Sequence, residues 1–178
     1  MSTTQFPGVV QCLKGERLLD SSFEDGFQQW LAYVLGLRQE NVRPAVELDL
    51  TKLPDLVDAA VFMPTGLKVT PINRKLSDEG QWVDYSGQVQ VQVTLCGTHA
   101  RELAIFLCDV FTVGQSSDYL HKALGLGYVS ADIAAFTLEP RGQMLCPRAD
   151  VTILFNYKYS RLWAVCPLES AEAFIYRD

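Results

Sequence analysis

A run of strict alternation near the middle of the chain constrains its fold more than any other feature. At positions 88–95, valine or leucine occupies every second residue, and glutamine or threonine occupies the residues between. Because the side chains of a β-strand point alternately to its two faces, this pattern predicts a strand with one apolar face and one polar, uncharged face. A second alternating run covers positions 150–159. Each strand should bury one face in a core and turn the other toward water or another subunit.

Three segments show helical periodicity. At positions 27–35 and again at 103–111, apolar residues recur three and four apart, so that they form one stripe along a helix. A shorter helix is predicted over positions 116–124. Gly36 and Gly125 follow the first and third segments, where glycine favours the left-handed conformation that ends helices.

The order of these elements sets the fold class. One helix, several strands, two helices and further strands cannot form the alternating crossovers of a parallel sheet. The sequence therefore predicts an α+β fold, with an antiparallel or mixed sheet and the helices packed on one face. A length of 178 residues suits a single domain. We assign that domain to residues 21–178 and treat residues 1–20 as an N-terminal arm with no role in the fold.

Weaker patterns complete the prediction. Extended structure is expected at positions 41–46, 59–63, 67–72, 128–138 and 162–168. Pro64, Thr65 and Gly66 interrupt one of these strands, which is typical of an edge strand or a β-bulge. The charged residues at positions 73–80 are predicted to form a loop. Residues 162–168 are predicted to pair back on the second alternating strand through a turn at Ser160 and Arg161.

Charge and composition exclude several classes of function. The net charge is −6, with 15 basic and 21 acidic residues and no cluster of lysine or arginine, so the chain lacks the surface that grips nucleic-acid phosphates. No apolar run reaches the about 18 residues of a membrane helix. Five cysteines without a CxxC pair, in a chain that starts without a secretory leader pattern, predict the reducing cytoplasm.

No motif of the sequence predicts an enzyme. Cys108 and His121 are of the types that form a nucleophile and its base, but Cys108 falls within the second helix, where a small buried hydrophobe is the better interpretation. Two pairs of carboxylates, Asp55 with Asp58 and Asp78 with Glu79, lie in predicted charged loops, and solvation explains them. The histidines and cysteines lack metal-ligand spacing, and no phosphate-binding glycine motif occurs. We therefore predict no catalysis, no metal and no cofactor.

Aromatic and amide side chains stand out instead. An amide-bearing strand face is formed by Gln88, Gln90 and Gln92. Aromatic and apolar residues crowd the last quarter of the chain, namely Tyr157, Tyr159, Trp163, Phe174, Ile175 and Tyr176. Protein interfaces are enriched in aromatic residues and depleted of charge. We interpret both groups as candidate subunit contacts, the alternative being ordinary core and surface.

The order and spacing of these elements resemble the neck terminator and tail terminator proteins of tailed bacteriophages. The resemblance covers about residues 22–168 and rests on features that occur in the same order. These are the aromatic helix at 23–37, the element NVRP at 41–44, the strand at 59–63, the strand-to-helix junction VQVQVTLCGTHARELAIFLCDVF, the short helix at 119–124, the re-entry at 125–129, and the late strand RADVTILFNYKY. The first twenty residues and the acidic stretch at 47–58 are additions to the family's pattern.

The resemblance implies a structural protein of the virion neck, which forms a six-membered ring that caps the tail tube and joins it to the head connector. The implied partners are further copies of the chain, the connector or adaptor protein, the tail tube protein and a tail sheath. DNA would pass through the ring without specific binding. Such a protein assembles in the host cytoplasm and stays in the virion.

In a ring, carboxylates that line the lumen would repel DNA phosphates. The candidate lumen residues are Glu47, Asp49, Asp55 and Asp58, the alternative being that they serve solubility on the outer surface. Residues 173–176 or the N-terminal arm are expected to pair with a strand edge of the neighbouring copy. Two other functions stay open: a minor tail or head-completion protein, and a small cytoplasmic α+β enzyme that uses Cys108 or a loop carboxylate.

Overall fold

Long antiparallel strands dominate the fold. A computed structural model describes residues 12–15, 21–45, 57–141 and 144–164. In chain order, its elements are strand β1 (Cys12–Gly15), helix α1 (Ser21–Leu35), a 3-10 turn (Gln39–Asn41), strands β2 (Val42–Pro44), β3 (Ala59–Ser77) and β4 (Gly80–Cys96), helices α2 (Ala100–Val110) and α3 (Gly114–Leu124), and strands β5 (Leu126–Arg141) and β6 (Met144–Trp163).

The described strands form a single six-stranded mixed sheet. Strand β6 pairs on one side with β4, which matches residues 81–96 to residues 148–163 without a shift in register. On its other side β6 pairs first with β5 and then, near its end, with β1. Strand β3 lies outside β4, and β2 pairs with the start of β3. Among the described strands, β2 and β3 are the parallel pair and the other pairs are antiparallel.

All three helices pack against the same face of the sheet. The core beneath them contains the alternating apolar residues of β4 and the odd-numbered residues of β6. Phe27 of α1 lies at its centre, with ring centroids 5.3 Å from Trp30, 5.1 Å from Phe62 and 6.2 Å from Phe155. The prediction of an α+β fold, with a mixed sheet and helices on one face, is therefore confirmed.

The helices end where the sequence predicts. Gly36 follows α1 with a φ of 64°, and Gly125 follows α3 with a φ of 66°. The N–H group of Gly125 donates to the His121 carbonyl, which satisfies one of the orphan acceptors of the last turn of α3. A side chain with a Cβ would be strained at both positions.

Strands β3 and β6 extend further than the sequence patterns predict. Residues 73–77, predicted as a loop, continue β3, and a two-residue turn leads to β4. Two bulges in β3, between Thr65 and Lys68 and between Pro71 and Asn73, shift the register and so hide the period of two. The turn predicted at positions 160–161 is also wrong, because β6 continues through it and pairs with β4 as far as Trp163.

The assignment of no fold role to residues 1–20 is wrong for residues 12–15. These residues form β1, which adds to the free side of β6 at residues 161–163. Three parts of the chain lie outside the described residues. They are the rest of that arm, residues 46–56, which include most of the acidic stretch at 47–58, and residues 165–178.

Candidate subunit interface

One end of the sheet extends beyond the helices. Beyond Val89 of β4 and Tyr157 of β6, toward the turn between β3 and β4, the strands continue past the part of the sheet that the helices cover. We call this extension the ribbon and define it as residues 66–88 and 158–163. Its outer strand is β3, and no described strand pairs with the outer edge of β3 beyond Phe62. Among the described strands, the ribbon is therefore bounded by an unpaired edge of the sheet.

The ribbon exposes large apolar side chains of β3. They are Leu67, Val69, Ile72 and Leu76. Leu76, next to the turn, is 74% exposed. Each such side chain would gain about 1.5–3 kcal/mol from complete burial. Three exposed basic residues lie among them, Lys68, Arg74 and Lys75, and the described part of the chain provides no ion pair for them. Apolar side chains with a basic fringe are typical of a contact surface.

The outer edge of β3 is poorly suited to pairing with another strand. Pro64 and Pro71 lack an N–H group, and the two bulges interrupt the edge. Prolines, basic side chains and bulges are features by which edge strands avoid pairing with other chains. The ribbon therefore offers its side chains, rather than its backbone, to a partner.

The aromatic residues predicted as contacts lie on the helix side of the sheet. Tyr159 stacks on Tyr85 at 4.9 Å between ring centroids, and the Nε1 of Trp163 donates to the Tyr85 hydroxyl at 2.9 Å. The Arg161 guanidinium lies 4.9 Å from the Tyr159 ring centroid. Tyr157 is only 2% exposed, and burial raises the pKa of its phenol. Tyr157 is thus a core residue and not a surface contact.

Three further predicted contacts, Phe174, Ile175 and Tyr176, lie outside the described residues.

The amide residues lie on the opposite face of the sheet, as their alternation predicts. Gln90 and Gln92 are half-buried and Gln88 is exposed. The Nε2 of Gln88 donates to Oδ1 of Asn156 on β6 at 3.2 Å. This face is free of the helices and remains a candidate surface for water or a subunit.

A charged network that the sequence did not predict lies on the same face. Oδ1 of Asp150 accepts hydrogen bonds from the Thr94 hydroxyl at 2.6 Å and from Nε and Nη2 of Arg148 at 3.1 Å each. Nη1 of Arg148 also lies 3.9 Å from Glu139. These contacts join β4, β5 and β6. The cross-strand pairing of β4, β5 and β6 brings these side chains together, and the periodicity of the sequence does not reveal that pairing.

A groove lies between α1 and the first turns of α3. It has a volume of about 530 Å³ and is lined by Gln29, Trp30, Tyr33, Val34, Gln115, Ser116 and Tyr119. Tyr33 is 88% exposed. The sequence does not predict this groove, because its walls come from two helices that are distant in the chain and each helix pattern marks only the buried stripe.

Of the four candidate lumen acids, Glu47, Asp49 and Asp55 lie outside the described residues. Asp58 holds the start of α2. Its Oδ1 accepts from the backbone N–H of His99 at 2.9 Å, and its Oδ2 lies 2.7 Å from Nδ1 of the His99 ring. The hydrogen bond with Asp58, and then its charge, raise the pKa of the His99 imidazole. The interpretation of Asp58 as a freely solvated loop charge is therefore wrong.

The residues considered for catalysis occupy separate positions. Cys108 lies within α2, where burial raises the pKa of its thiol. Nucleophilic cysteines instead have a lowered pKa. His121 lies in the last turn of α3, and Asp78 and Glu79 form the exposed turn of the ribbon. The described residues contain no group of three His, Cys, Asp or Glu side chains that could hold a metal.

In the part of the chain that the structure describes, no helix is both long and apolar enough to cross a membrane. No protein-family model matches the chain, and no curated protein matches its sequence.

Proposed function

We propose that the chain is a structural protein of the tailed-phage neck, which forms a ring of six copies that caps the tail tube and joins it to the head connector. The observation that carries this proposal is the presence of two unlike apolar surfaces, the ribbon and the groove between α1 and α3. The number of copies and the place in the particle follow from the resemblance to terminator proteins.

Two unlike surfaces are what a ring requires. In a ring, each copy contacts the next through a heterologous interface, which joins one surface of a subunit to a different surface of its neighbour. A symmetric dimer instead uses one surface twice. The ribbon and the groove both expose apolar side chains to water, which is typical of surfaces that are covered in an assembly.

The acidic character of the chain supports passage of DNA. Each copy carries a net charge of −6, and carboxylates that face the axis of a ring would make its lumen negative. A negative lumen repels phosphates and lets DNA slide without binding. Because Asp58 is paired with His99, Glu47, Asp49 and Asp55 are the remaining candidates for that lining.

The proposal is tested in tailed particles from cells that carry the gene. We expect an antibody raised against the purified chain, visualised with gold particles, to label the junction of head and tail once per particle. A nonsense mutation in the gene should give full heads and tails that do not join, and a plasmid copy of the gene should restore joining. Label elsewhere on the tail would support a minor tail protein instead. Joined particles at normal yield without the chain would overturn the proposal.

A further inference from the structure

The ribbon and the groove have matching apolar chemistry. Beside the turn of the ribbon, Leu76 is an exposed aliphatic side chain among charged neighbours. The groove has aromatic walls from Trp30, Tyr33 and Tyr119, and its volume of about 530 Å³ accommodates several side chains. Aliphatic side chains pack well on aromatic rings, which offer a large apolar area with few rotatable bonds.

One charged residue of the ribbon has partners of opposite charge beside the groove. Arg74 lies two residues before Leu76 on β3 and therefore on the same face of the strand. None of the described residues that line the groove is charged. Asp25 of α1 and Asp118 of α3 are exposed and lie one helical turn from lining residues, hence on the same faces of their helices. Arg74 thus has two carboxylates of opposite charge beside the groove, although Lys122, one turn beyond Tyr119, and the ribbon's turn residues Asp78 and Glu79 carry the other signs.

A single copy cannot bring its own ribbon to its own groove. The ribbon starts at the level of Tyr157 on β6. This residue pairs with Leu126, the first residue of β5. The end of α3 lies at this level, and a Cβ at Gly26 of α1 would contact Leu124 there. The groove lies between α1 and the first turns of α3, whereas Leu76 pairs with Gln81, six residues along β4 from Gly87 and so about 20 Å beyond the level of Tyr157. The two surfaces can meet only between copies.

We infer that the ribbon of one copy docks in the groove between α1 and α3 of a second copy, with Leu76 against the aromatic walls and Arg74 facing Asp25 and Asp118. This contact rests on the proposed function, because it is the heterologous interface that a ring of this chain needs. The occupant of the groove is thus a second copy of the chain.

Disulfide trapping tests the contact in the full chain. Tyr33→Cys places a thiol at the mouth of the groove, and Leu76→Cys places one on the ribbon. Both residues are more exposed than buried, so neither change should disturb folding. We expect mild oxidation of a mixture of the two variants to give a covalent dimer. Each variant oxidised alone should give no more dimer than the wild type, which controls for the native cysteines.

A matched control places the thiol on the other face of the sheet. Lys158→Cys lies on β6, is exposed, and belongs to the face away from the helices. Mixed with Tyr33→Cys, it should give no dimer above background. Dimer from Leu76→Cys alone would indicate a symmetric contact between ribbons and would overturn the inference. So would the absence of mixed dimer at the highest concentration at which the chain is soluble.

Charge reversal supplies a second readout. Arg74→Glu, added to the copy with the ribbon thiol, should lower the yield of mixed dimer about tenfold because it faces two carboxylates. Asp118→Arg in the partner copy should restore most of that yield. Lys158→Glu should leave the yield unchanged. An Arg74→Glu yield equal to that of Lys158→Glu would show that the ribbon face is not at the contact.

The two proposals fail in different ways. If gold labelling marks the neck but mixed dimer is absent, the neck function stands and this contact is wrong. If mixed dimer forms but the particles lack the chain at the neck, the contact is right and the proposed function is wrong.

Discussion

Gly87 allows β4 to pass beneath the ring of Tyr157, and a larger residue there should loosen the base of the ribbon. The two residues are direct cross-strand partners in β4 and β6. A Cβ at Gly87 would collide with the carbonyl oxygen of Lys68 and would lie 2.7 Å from the Tyr157 hydroxyl. Since the Lys68 oxygen belongs to a paired backbone, Gly87→Ala requires either β3 or the tyrosine ring to move.

The expected cost follows from these contacts. Forcing one extra carbon into a packed site costs about 1–3 kcal/mol. A displaced Tyr157 also loses its hydrogen bond to the Lys68 carbonyl, but at 3.4 Å this bond is long and adds less than the about 1 kcal/mol of a typical one. We therefore expect Gly87→Ala to lower the free energy of unfolding by about 1–3 kcal/mol. For a chain of this size, the middle of that range corresponds to a fall in Tm of roughly 4–8 °C.

Urea unfolding followed by circular dichroism measures the effect. The matched control is Gly114→Ala, the same substitution at the first residue of α3, where a Cβ would meet nothing within 4 Å. Because alanine favours helix more than glycine does, the control should gain up to about 1 kcal/mol. A Gly87→Ala midpoint at or above that of the wild type would refute the reasoning, since the collision would then not exist.

Three further outcomes test contacts within the fold. Because Asp58 raises the pKa of His99 above its unfolded value of 6.5, the stability due to the charged imidazole is present below pH 6.5 and is lost as the pH rises through the raised pKa. An NMR titration should show the raised pKa, and Asp58→Asn should return it to an ordinary value; equal titrations in the two proteins would contradict the pairing. Phe27→Ala removes the central ring of the core and should cost about 3–5 kcal/mol in urea unfolding, whereas a loss below about 1 kcal/mol would mean that the ring is not central. Asp150→Ala leaves two neighbouring donors without their shared acceptor and should cost about 2–3 kcal/mol, more than Asp150→Asn, which retains an acceptor oxygen; equal losses would count against the network.

The fold class and the main elements could be predicted because they depend on local patterns. The alternation of β4 marks its buried face, and the apolar stripe of α1 marks the side that meets the sheet. Gly36 and Gly125 end helices through their own backbone conformation. Each of these signals is contained within a few consecutive residues.

The extent of the strands could not be predicted in the same way. Residues 73–77 carry charged side chains and follow a bulge, yet β4 provides the hydrogen-bonding partners that keep them extended. Residues 12–15 have no periodicity, and they form a strand because β6 presents a free edge. In both cases the partner strand supplies backbone hydrogen bonds that the segment itself cannot make.

The candidate interface was only partly predictable. The alternation of the sequence correctly predicts that Gln88 lies on the face away from the helices, because neighbouring residues of a strand point to opposite faces. It could not show that Tyr157 is buried, since that depends on Gly87 directly opposite it. Nor could it show that Asp58 binds His99 across the start of α2. Contacts between distant residues leave no mark in the spacing of either residue.

By itself, the sequence determined the three helices and the central parts of the main strands, which face of each is apolar, and hence the layered α+β class. The tertiary structure alone decided where the sheet outgrows its helices and so exposes Leu76, and which two helices approach each other to form the groove. The physical reason is that local periodicity specifies which face of an element is apolar and will be buried. Which apolar surfaces stay exposed depends on the relative lengths and the register of elements that meet only in the folded chain.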